Sequence, residues 1–151
     1  MIIGVMFFST ANAGTFHWEG SISTDWSNPN NWLEGSLPGI NDDIIFDGNA
    51  ANICTIDQDV SIYSLYISID YLLQVIIPVG INVYIAGDLT IEDNAFLSVW
   101  DNSGNIIFNG TGTQTITIQT YGDWPFYDFT IDKPSGEISL GSSVLITNNF
   151  N

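Results

Sequence analysis

Residues 65–99 read LYISIDYLLQVIIPVGINVYIAGDLTIEDNAFLSV, and their spacing decides the fold. Leu65/Ile67/Ile69 and Ile81/Val83/Ile85 alternate with polar or small residues, the period-2 pattern that turns one side of a strand into a core. Strands are predicted to begin at Leu65, Leu73, Ile81, Leu89 and Leu97. That is about every eight residues, tighter than most sandwiches maintain, and three such strands make a turn of about 24 residues, one rung of a parallel β-helix. The chain is therefore read as all-β, a β-solenoid, with a β-sandwich of meandering strands as the alternative.

Working outward, further strands are predicted near Ile44 to Phe46, Ile53 to Ile56, Ile106 to Phe108, Ile116 to Ile118, Tyr127 to Ile131, Ile138 to Leu140 and Val144 to Ile146. Gly, Asn, Asp or Pro separates them, and no segment carries a helical period of useful length. The last stretch, Val144 to Asn151, has no charged, prolyl or helical cover. A bare rung exposes unpaired strand edges, so the expectation is that the chain is the N-terminal piece of something longer, or pairs with other copies through its C-terminal edge.

The opening segment meets the same problem at the other end. Trp18, Trp26 and Trp32 sit among turn formers, Asn28-Pro29-Asn30-Asn31, in what otherwise reads as loop. Laid across the first rung, the three indoles are expected to bury apolar area while their N–H groups find partners, so they are read as a structural cap.

Seventeen Asp or Glu against one basic residue, Lys133, give a formal net charge of -16. Such a surface repels phosphate backbones and anionic lipid, which excludes nucleic-acid binding and membrane-surface binding. It favours solubility and attracts cations. Residues 1–13, MIIGVMFFSTANA, carry no charge, an apolar run from Ile2 to Phe8 and the small-x-small ending Ala11-Asn12-Ala13. They read as a secretory signal peptide, clipped at its start because the positive n-region is missing, with cleavage before Gly14. The run is too short to span a bilayer, so no membrane insertion of the mature chain is expected and the location is secreted, extracellular or cell surface. The expected division is signal 1–13, cap 14–43 and solenoid rungs 44–151.

The single cysteine, Cys54, lies in an apolar alternating run and reads as a small core residue. The single imidazole, His17, reads as a surface or cap residue. Calcium is the one cofactor expected at all: Asp25, Asp42 and Asp43, with Asn side chains and loop carbonyls, supply the hard oxygens such an ion takes. Paired carboxylates also occur at Asp57/Asp59 and Glu92/Asp93, and an i, i+2 pair in a strand shares a face, which keeps a glycoside hydrolase as the one open enzyme class. With no arginine and one lysine, a lyase on anionic sugars is excluded. Thr111, Thr113, Thr115, Thr117 and Thr120 read as an outward β-branched row, and Trp100, Tyr121 and Trp124 are candidate platforms for sugar rings.

Trp18-x-Gly20, Asp25-Trp26-Ser27-Asn28-Pro29-x-Asn31-Trp32, Gly35, Pro38 and Asp42-Asp43-Ile44-Ile45-Phe46 resemble the opening segment of large secreted surface proteins of Bacteroidetes-like and planctomycete-like bacteria. Gly112-Thr113-Gln114-Thr115-Ile116, Phe126 to Ile131 and Gly136 to Leu140 are similar to the repeat downstream in those proteins. The resemblance implies a right-handed, single-stranded parallel β-helix serving as a stalk or passenger region. On that basis the expected function is a structural or adhesive module of a cell-surface protein without catalysis, whose partners are surface glycans or other copies. The alternative is a carbohydrate-binding or carbohydrate-active β-helix.

Overall fold

A computed structural model describes residues 13–92, 96–98, 104–119, 125–142 and 145–150. The chain coils as a parallel β-solenoid with three faces. Its first rung is β2 (Asp43–Phe46), β3 (Cys54–Thr55) and β4 (Val60–Ile62). The second is β5 (Ser64–Ile67), β6 (Gln74–Ile76) and β7 (Asn82–Ile85), and the third is β8 (Leu89–Ile91), β9 (Phe96–Ser98) and β10 (Asn105–Phe108). Above them β11 (Gln114–Ile118) precedes β12 (Pro125–Ile131), and β13 (Ile138–Leu140) precedes β14 (Leu145–Phe150). A short strand β1 (Thr15–His17) lies below the first rung and pairs with β2.

Face one stacks β1-β2-β5-β8-β11-β13, face two β3-β6-β9, and face three β4-β7-β10-β12-β14. Every ladder between these strands is parallel, which excludes a sandwich of meandering antiparallel strands. Register explains the core. Ile44, Leu65, Leu89 and Ile116 succeed one another up face one, each fully buried. On face three Val60, Val83, Ile106 and Phe129 do the same, beside Ile62, Ile85 and Phe108. Because the period is two, one apolar position in each strand fixes which side faces the axis, and burying each such side chain contributes about 1.5–3 kcal/mol. Cys54 begins the inward column of face two, stacked under Val75, and its thiol is raised well above its ordinary value by burial and by the charges of Asp57 and Asp25.

The N-terminal segment covers the lower end of that core. Trp18, Trp26 and Trp32 are all buried, with ring centroids 4.6 Å apart for Trp26–Trp32 and 5.2 Å for Trp18–Trp32, edge to face. Trp18 and Trp32 both meet Phe46 of the first rung. Two of the indoles donate to carbonyls: Trp18 Nε1 to Asn52 O at 3.0 Å and Trp32 Nε1 to Trp26 O at 3.0 Å. A single 3-10 turn, Pro29–Asn31, lets Asn31 tuck its amide inside, where its Oδ1 accepts from the N–H groups of Ile22 and Ser23.

The predicted strands fall within a few residues of those observed, with two additions, β1 and β4. Asp57 and Asp59 are corrected: they flank a bend at Gln58 between β3 and β4 and do not share a strand face. The first strand of the first rung, β2, begins at Asp43.

Candidate functional site

The corner between faces three and one changes from rung to rung. It is Tyr63 alone between β4 and β5, then residues 86–88, then 109–113, then 132–137. Packing these corners requires glycine. A Cβ on Gly110 would lie 1.9 Å from Ala86 O, and one on Gly136, whose φ is 81°, would lie 2.3 Å from Gly112 O. Gln114, fully buried at the start of β11, staples the stack: its Nε2 donates to Ile85 O (2.9 Å) and Gly87 O (2.5 Å), and its Oε1 accepts from Gly110 N (2.9 Å). Lys133 reaches back from the next corner, donating from Nζ to Gly110 O (2.8 Å), Gly112 O (2.9 Å) and Gln114 Oε1 (2.5 Å). All three ammonium hydrogens are thereby used, and the partial loss of water around the ammonium lowers its pKa.

Along these corners runs an open groove of about 640 Å³, walled by Tyr63, Ser64, Gly87, Asp88, Asn109 and Gly110 together with neighbouring residues. Tyr63 lies over Gly87: a Cβ there would sit 3.0–3.1 Å from its ring edge. The ring is half exposed. Asp88 is the one charged residue in the lining.

Carboxylates elsewhere follow a common pattern. Where a ladder stops at a corner, backbone N–H groups lose their strand partners, and carboxylates accept several of them, some from a neighbouring rung and one from within the same turn. Asp42 takes Gly14 N and Gly39 N, both at 2.8 Å. Ser64 Oγ donates to Asp43. Asp57 takes Ser27 N (3.0 Å) and Ser27 Oγ (2.6 Å), while Asp59 takes Asn82 N (2.8 Å) and Asn82 Nδ2 (3.2 Å). Asp88 takes Thr115 N (2.7 Å) and Glu92 takes Ile69 N (2.9 Å). These contacts span 23 residues for Asp59–Asn82 and 27 for Asp88–Thr115, about one turn of the coil. Asp59 is held below the ordinary carboxylate value by the backbone N–H of Asn82 and then by its side-chain amide. Glu92 is held low by the Tyr66 hydroxyl and then by the Ile69 amide.

The expected metal ligands do not converge. Asp25 takes Ser23 Oγ (3.1 Å) and bridges to Thr55 on face two, whereas Asp42 and Asp43 open face one. Among the described residues no three carboxylate, imidazole or thiol side chains come together to hold a metal ion. Asp57 and Asp59 bind opposite neighbours, one the cap and one the second rung. His17 pairs with Asp47 at 3.3 Å, across the first rung's edge. Thr111 and Thr113 are exposed and Thr115 and Thr117 half-buried on the outer side of β11. Trp100, Tyr121, Trp124, Asp93 and Thr120 lie outside the described residues. The groove itself was missed by sequence reasoning, because it arises from corner lengths and from an aromatic residue, Tyr63, that stands between two strands without a period of its own.

Fold and site together define a capped parallel β-solenoid whose acidic side chains join successive rungs. Residues 17–131 match the model of a domain of unknown function, DUF8693, and the chain belongs to that family. Searches of curated proteins and of solved structures gave no match.

Proposed function

We propose that this domain is a structural, non-catalytic segment of an exported bacterial surface protein, a rigid coil that carries or spaces other parts of that protein and contributes to adhesion. The observation that carries the reading is the fate of the carboxylates. Hydrolysis of a glycosidic bond takes two carboxyl groups facing one substrate across a cleft, yet Asp42, Asp43, Asp57, Asp59, Asp88 and Glu92 each accept hydrogen bonds from a neighbouring segment of the coil. Export is supported by the uncharged, apolar residues 1–13 with their small-x-small ending.

Two measurements test this. Intact cells of the native host, shaved with a broad-specificity protease and probed with an antibody against this domain, are expected to lose the signal; a protected cytosolic pool overturns export. The purified chain is expected to release no reducing ends from polysaccharides. Hydrolysis that disappears on substituting a single carboxylate overturns the non-catalytic reading.

A further inference from the structure

We infer that the corner groove beside Tyr63 is a binding site for a neutral oligosaccharide. Its volume, about 640 Å³, falls in the range of small-ligand sites. Tyr63 stands half exposed at its edge, with one edge of its ring against Gly87. A half-exposed aromatic ring is the surface on which the C–H face of a pyranose stacks.

Around it stand groups suited to hydroxyls. Asn41 both donates and accepts, Ser64, whose hydroxyl proton goes to Asp43, still accepts, Thr111 is an exposed hydroxyl, and Asp88 is an exposed acceptor whose Oδ1 already holds Thr115 N. Asn109 adds a sharper requirement: its Oδ1 is buried and has no hydrogen-bond partner among the described residues. A buried acceptor left unpaired is costly, and pairing it with a ligand hydroxyl requires the Asn109 amide to turn into the groove it lines.

The same lining selects against other ligands. One carboxylate is too few for a hard cation, which takes several oxygen ligands. Lys133 lies beside the lining with its ammonium hydrogens tied to Gly110 O, Gly112 O and Gln114 Oε1, so Asp88 in the lining and -16 on the chain set the sign, and an anionic glycan or a phosphate is repelled. Binding here adds an activity to the structural role and stands or falls separately from it.

The test titrates the isotope-labelled chain with cellohexaose, maltohexaose and mannohexaose, with hexagalacturonate as the anionic comparison, and follows amide resonances. At least one neutral sugar is expected to shift Gly87, Gly110 and Gly112, and hexagalacturonate to shift none. Tyr63→Ala is expected to weaken that binding about tenfold, while Tyr63→Phe keeps it within about twofold. No shift at these glycines in the wild-type chain at about 10 mM of every neutral sugar, the weak end of specific affinity, overturns the site. So do equal shifts with hexagalacturonate, or a Tyr63→Ala chain that folds and binds as before.

Discussion

Trp32 shows how much one side chain does here. It touches Phe16, Trp18, Trp26 and Phe46, and its indole N–H closes on the carbonyl of Trp26. Truncation opens a cavity among aromatics that cannot collapse onto one another, so Trp32→Ala is expected to cost about 3–5 kcal/mol in denaturant unfolding, whereas Trp32→Phe keeps most of the packing and costs less. A change under about 1 kcal/mol in Trp32→Ala would show that the cluster is not a cap. The tryptophans were legible because large apolar residues in a turn-rich segment have few ways to be buried. Gln114 was not. It was visible only as part of a resemblance, since an amide among alternating Thr and Ile reads as an outward polar residue, and only the geometry of the corners reveals the carbonyls it ties inside the coil.

Elements were legible where alternation ran long enough to register. The stretch from Leu65 to Leu97 set period and rung length together, and the inward face follows from β5, β7 and β8, each of which buries alternate residues. The strand β4 escaped because Val60 and Ile62 are its only apolar positions and acidic residues precede it, while β1 has no buried residue of its own. Short strands of this kind depend on their rung neighbours, and the carboxylates at the corners supply part of that dependence. Asp59 makes the point measurable. Its folded pKa lies below the ordinary value near 3.8, so the unfolded chain binds the proton more readily as the pH falls. Its contribution is then complete above that ordinary value and is lost as the pH falls through the folded one. Asp59→Asn is therefore expected to lower Tm at pH 7, with the gap to wild type closing as the pH falls through the lowered folded value. A gap that persists unchanged at low pH would mean that the charge of Asp59 has no part in holding Asn82.

For the whole molecule, the acidity that looked like a surface property is also an internal one. Net charge of -16 keeps copies apart, and several of the same carboxylates join neighbouring turns of the coil or tie the N-terminal segment to the first rung. Their clamping role could not be read from sequence, because partners a full turn apart are set by corner lengths that vary along the chain. Lys133 closes the account from the opposite sign. It is the sole lysine or arginine, its ammonium is tied to Gly110, Gly112 and Gln114, and Pro134 follows it. Trypsin cuts after lysine or arginine but not where proline comes next, so these 151 residues offer it no bond, folded or not. Incubated with trypsin in urea the chain is expected to survive whole while chymotrypsin degrades it, and a tryptic fragment ending at Lys133 would refute this. A coil built this way is exempt from an entire class of digestive enzyme by composition, before its rigidity is ever tested.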